Sequence, residues 1–163
     1  MISYLELGHV RQLLKTEEWG AVLIDKGSLT TRRLFLEKDD KRYCLHYMRN
    51  GITKPHTHKY NVRVRILSGR YRHNLFLNDK KIYSEHMREG SSYHIDNANL
   101  FHQVEIEPQA YCWSLMINDY DFDNPHPSCI SAEENNLQTI NFSYRQISKH
   151  EKEELIKEFK KLI

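Results

Sequence analysis

From Ala21 to Arg145 the chain is a succession of short alternating or apolar runs, each closed by residues that favour turns. A period of two marks strands that bury one face, and it constrains the fold more than any other feature of this sequence. Candidate strands are "AVLID", "RRLFLE", "RYCLHYM", "YNVRVRIL", "YRHNLFL", "KIYSEHM", "SYHI", "HQVEIE", "AYCWSLMI" and "QTINFSYR". The breaks include "KDDK", "NG", "SG", "LNDKK", "REG", "EPQ" and "DFDNPHPS", which are turn-forming compositions. The expected fold is mainly β, an antiparallel sandwich or barrel over about residues 20–145. A short helix is expected at each end. Ile2, Leu5, Val10, Leu13 and Leu14 recur at helical spacing and predict a helix over residues 3–16. Ser148 followed by Glu151 is a capping-box signature, and Leu155, Phe159 and Leu162 share one face, which predicts a helix over 148–162 packed on the barrel exterior. At 163 residues the chain, 1–163, is expected to be one domain.

The charge balance narrows the classes of partner. With 24 Lys+Arg against 22 Asp+Glu the formal net charge is +2, so nothing calls for nucleic acid or an acidic membrane. Arg63, Arg65, Arg70 and Arg72 cluster in "VRVRILSGRYR", but a strand that buries Val62, Val64 and Ile66 turns Arg63 and Arg65 outward. A solvated or intersubunit face is therefore expected there, and no aromatic is interleaved between Arg63 and Arg65 to stack bases. Cys44, Cys112 and Cys129 form no CxxC pair, which argues against a disulfide framework or a structural zinc site and for a reducing compartment. Glu6, His9 and Arg11 interrupt the start where a secretory leader needs an apolar core, and no run approaches membrane-spanning length. The expected location is the cytoplasm.

Chemistry enters at "PHTHKYNVRVRILSG". Residues two apart on a strand face the same side, so His56 and His58 can grip one cation together. His102, at the head of "HQVEIE", is the candidate third ligand if its ring points to the same interior. His46, His73 and His94 lie on other candidate strands and are expected to be satisfied or exposed histidines, with a hydrogen bond to a ligand imidazole as the alternative. The sequence has no Gly-rich phosphate loop and no GxSxG elbow.

An HxH followed by an alternating strand and a Gly, with a later lone His, resembles the cupin family of small antiparallel, jelly-roll-like barrels. The Glu of the usual cupin pattern would fall at Val62 or Arg63, so the sequence looks like a three-histidine cupin. Within that family "TTRRLFLEKDDKRYCLHYM", "HTHKYNVRVRILSGRYRHNLF", "SYHIDNANLFHQVE" and "SLMINDYDFDN" resemble the cysteine dioxygenase branch of thiol dioxygenases. The resemblance implies Fe(II) held by His56, His58 and His102, dioxygen as co-substrate, a small carboxylate-bearing thiol or amino-acid-like substrate, and a homodimer. It also implies that Arg32, in "TRRL", binds the substrate carboxylate; a structural ion pair of Arg32 with Asp25 or Glu37 is the alternative. Ser114 matches the branch's serine, while Met116 and Asn118 replace its histidine and tyrosine. Asn118 therefore occupies the catalytic tyrosine position with different chemistry. Nickel, manganese or zinc in lyase or isomerase work, or a non-catalytic small-ligand binder, are the other readings that the residues leave open.

Overall fold

The computed structural model describes residues 1–58, 61–95, 100–119, 129–133, 136–139 and 143–163. Helix α1 (Tyr4–Thr16) leads into β1 (Gly20–Lys26), β2 (Leu29–Lys38), β3 (Lys41–Ile52), β4 (His56–His58), β5 (Val62–Leu77), β6 (Lys80–Arg88), β7 (Ser92–Ile95) and β8 (Phe101–Asp119). Then come β9 (Cys129–Glu133), β10 (Asn136–Thr139), β11 (Ser143–Gln146) and helix α2 (Lys149–Leu162). All pairings are antiparallel. The path runs β10-β9-β4-β8-β3-β2-β1-β11, and β5 joins β8 to β6 and β7.

Three expected breaks are bends inside long strands, the first at "NG" within β3, where the register against β8 shifts between Arg49 and Gly51. At "SG" the chain continues through Gly69, whose φ of 81° is open to glycine and whose added Cβ would fall 2.1 Å from the Tyr111 carbonyl oxygen. The register against β8 shifts on both sides of this glycine, which marks a bulge. At "EPQ", Gln109 with φ 66° bends β8 without ending it. The expected strand "QTINFSYR" is divided between β10 and β11, its middle lying outside the described residues, as do the "DFDNPHPS" turn and the side chain of Cys129.

Two apolar clusters sit on opposite faces of the β2–β3–β8 layer. The outer one joins Leu34, Leu45, Leu115 and Ile117 to Val10, Leu13 and Leu14 of α1 and to Leu155 and Phe159 of α2. The inner one holds Leu29, Cys44, Met48, Val62, Val64, Ile66, Tyr71, Val104 and Met116. Both helices carry full capping boxes, Ser3 with Glu6 and Ser148 with Glu151. Leu5, expected on the buried face of α1, is 88% exposed, and Ile2 just before the helix is buried instead. The basic strand is not a bare solvated face. Arg63 pairs with Glu6 at 2.6 Å, and Arg65 donates to the Ile2 carbonyl at 3.2 Å and lies over the Tyr4 ring, so both hold the N-terminal segment.

The C-terminal helix is anchored by Phe159, fully buried and edge-on to Trp113 at 4.9 Å between ring centroids. Phe159→Ala is expected to cost about 3–5 kcal/mol, read as a lower midpoint in urea unfolding monitored by circular dichroism.

Candidate metal centre

Strand β4 is only three residues long, but it is fixed on both sides. His56 pairs with His102 of β8 and with Ser131 of β9, and His58 pairs with Cys129. The period of two then sends both imidazoles inward, where His102 joins them. The three rings are buried, and one ligand nitrogen from each lies within 4.8 Å of the others. His58 Nε2 and His102 Nε2 are 2.9 Å apart. Two nitrogens at right angles about one ion, each at about 2.1 Å, would be separated by about 3.0 Å, so this spacing fits two ligands of a shared cation.

The outer nitrogens support the same geometry. His56 Nδ1 donates to the Lys54 carbonyl at 2.8 Å, which leaves its Nε2 as a lone pair. His102 Nδ1 meets His73 Nε2 at 3.1 Å. Such partners set tautomer and ring orientation at metal-binding histidines. His73 is itself stacked on Tyr93, with centroids 4.1 Å apart. Of the two positions where the usual cupin Glu would fall, Val62 is buried in the inner cluster and Arg63 pairs outward with Glu6, so the donor set among the described residues is three imidazoles.

A cavity of about 40 Å³ lies against the three rings. Lys26, Thr31, His46, Tyr71, Tyr93 and Ser114 contribute polar groups to its wall, and among the described residues no Asp or Glu does so. Thr31 Oγ1 and Thr57 Oγ1 are buried with no hydrogen-bond partner among the described residues. Tyr71 donates to the Tyr93 hydroxyl at 2.7 Å, and burial raises both phenol pKa values, keeping the pair protonated. Burial, reinforced by the neighbouring cationic groups, pushes His102 and His46 well below the ordinary histidine range, and burial lowers His73 to about 4. All three are neutral donors or acceptors at neutral pH.

Two expected site residues lie elsewhere. Arg32 is on the outer face of β2 with Leu34, beside Tyr47 in register, and it acts electrostatically on Glu151 of α2. It does not line the cavity, and neither Asp25 nor Glu37 is its partner: Asp25 pairs with Arg145 and Glu37 with Arg42. Its neighbour Arg33 faces inward and donates from Nε to His46 Nε2 at 2.8 Å. Asn118 is buried opposite Val62 and Arg42, away from the cavity wall. Its Nδ2 donates to the Asp119 carbonyl, and its Oδ1 has no partner among the described residues. Lys26 and the Tyr71–Tyr93 pair were not singled out from sequence. Inward residues of β5 are even-numbered before Gly69 and include Tyr71 and His73 after it, so the bulge is the signal that could have found them.

No protein-family model matches the chain, and no curated protein matches it. Solved structures do. The capsular polysaccharide assembling protein CapF from Staphylococcus aureus matches with TM-score 0.55 and 17% identity, over 69% of this chain and 32% of that one. Oxalate decarboxylase from Bacillus subtilis matches with TM-score 0.52 and 14% identity, over 67% of this chain and 29% of that one. The chain thus spans about a third of the length of these two proteins. Both are cupin-fold proteins. The likeness establishes the fold of this chain as a cupin-type antiparallel barrel, and within that barrel three buried histidines form a group able to hold a metal ion.

His58→Ala is expected to abolish metal uptake and His73→Ala to weaken it by about 10–100-fold, both read by elemental analysis after dialysis against Fe(II) or Co(II). Acid should destabilise the metal-free protein. His73 titrates near 6.5 when unfolded and about 4 when folded, so between these values the unfolded chain binds the extra proton. Stability is then full above about pH 6.5 and falls by about 3 kcal/mol as the pH drops to 4, measurable by urea unfolding at the two ends of that window.

Proposed function

We propose that this protein is a metal-dependent enzyme that holds Fe(II) on His56, His58 and His102 and adds dioxygen to a small anionic substrate carrying a carboxylate or thiolate. The observation that supports this reading is the donor set itself: three buried imidazoles with their ligand nitrogens within 4.8 Å, facing a cavity wall that holds a lysine and, among the described residues, no carboxylate. With three neutral ligands an Fe(II) ion would keep its full charge and open positions, at which an anionic substrate and dioxygen can be activated side by side.

The protein residues do the rest. Lys26, 8% exposed on the cavity wall, favours an anion over a neutral compound. His73 and the Lys54 carbonyl hold His102 and His56 in the tautomer that presents Nε2. Tyr71 donates a hydrogen bond to the Tyr93 hydroxyl, so the Tyr93 hydroxyl hydrogen can be donated to a substrate oxygen. This phenol pair supplies a hydroxyl from β5 and β7, which Asn118 on β8 does not. The small cavity suits a reacting group of a few atoms.

The Tyr71–Tyr93 pair also favours a second reading, Lewis-acid lyase or isomerase chemistry on nickel, manganese or zinc, in which a neutral phenol serves as proton donor. Turnover under strict anaerobiosis separates the two. The oxygenase reading requires oxygen uptake, measured with an electrode on Fe(II)-loaded protein and a panel of small thiol and keto carboxylates, and no product without oxygen. Ligand-induced thermal stabilisation with no turnover in either atmosphere would make the chain a binding module. Lys26→Met is expected to raise KM by about tenfold or more with metal content unchanged, whereas Arg32→Ala should leave both within about twofold, as expected of a surface substitution.

A further inference from the structure

Arg33 is 9% exposed, yet among the described residues no carboxylate pairs with it. Its hydrogen bond among the described residues runs from Nε to His46 Nε2. Since that nitrogen accepts, His46 is neutral, and burial with the adjacent guanidinium keeps it so. The other arginines with mapped ion pairs meet acids: Arg42 with Glu37, Arg63 with Glu6, Arg70 and Arg72 with Glu107, and Arg145 with Asp25. Glu37, the acid nearest in the same groove, is already taken by Arg42 through both Nε and Nη2. A buried cation without an anion is costly, and a ligand carboxylate would offset that cost.

The Nη edge of Arg33 has somewhere to direct its donors. A groove of about 220 Å³ is lined by Val22, Arg33, Phe35, Glu37, Arg42 and Tyr144. Two arginines and one glutamate leave it one net positive charge. Its remaining walls are an aliphatic side chain and two aromatic rings. A planar guanidinium matches a carboxylate through two parallel N–H donors, and the rings suit an apolar tail. The histidine cavity does not include Arg33 or Phe35; His46 lies between, bonded to Arg33 and lining that cavity.

We propose that this groove is a second binding site, for a small organic monocarboxylate whose carboxylate pairs with Arg33 while its hydrocarbon part packs against Val22, Phe35 and Tyr144. The site is separate from the three-histidine centre and needs no metal. Titration calorimetry with benzoate as probe and benzyl alcohol as uncharged control tests it on the full chain. Wild type should bind benzoate and not benzyl alcohol. Arg33→Met should weaken benzoate by about tenfold or more, and Arg33→Lys, which keeps the charge but loses the fork, should weaken it comparably. Ligand-free Arg33→Met should melt no lower than wild type, because it removes an unpaired buried charge. His58→Ala should bind benzoate as wild type does. No benzoate binding by wild type, undiminished binding by Arg33→Lys, or a marked loss of melting temperature in ligand-free Arg33→Met would overturn the proposal. Loss of benzoate binding in His58→Ala would put the anion in the histidine cavity and overturn the second site, leaving the metal-centre reading intact.

Discussion

The structure depends on one strand being bonded along both edges. β8 pairs with β5 from Phe101 to Asn118, while its opposite edge carries β4 near His102 and β3 from Glu105 to Asp119. A ladder of this length fixes which residues of three other strands face inward. It brings His102 opposite both His56 and Leu75, so the third imidazole reaches the other two by register. Gly69 makes the long pairing workable. The tight approach of its backbone to the Tyr111 carbonyl leaves no room for a Cβ, and the bulge there lets β5 change which side chains it sends inward.

The interior that results is electrostatically one-sided. Lys26 and Arg33 are buried near a set of histidines, and among the described residues no acid lines the histidine cavity. A desolvated guanidinium such as that of Arg33, bonded to a neutral histidine, is costly to bury. Anionic ligands relieve that cost. Burial keeps His46, His73 and His102 neutral, and a neutral imidazole is the protonation state that metal binding requires.

The legibility of each element follows from how one-sided it is. The HxH of β4 was readable because a period of two leaves its two rings no choice but a common face. The capping boxes at Ser3 and Ser148 were readable because they are local in sequence and their hydrogen bonds close within one turn. Arg32 against Arg33 was not readable in the same way. In β2, Leu34 packs toward the helices and Phe35 toward the barrel interior, so both faces are apolar and alternation carries no sign. Arg63 and Arg65 point outward as expected, but the partners they find there, Glu6 and the Ile2 carbonyl, belong to a segment almost sixty residues away.

By itself the sequence determined the strand-rich barrel with a helix at each end, and the three histidines able to converge on one ion, because these follow from local periodicity and residue chemistry. Tertiary structure alone decided which arginine is buried, that Asn118 stands away from the cavity, and that Tyr71, Tyr93 and Lys26 complete its wall. Those outcomes depend on the Gly69 bulge and on the docking of α2 over one face of β2. Both are long-range choices between faces that the alternating pattern leaves equivalent.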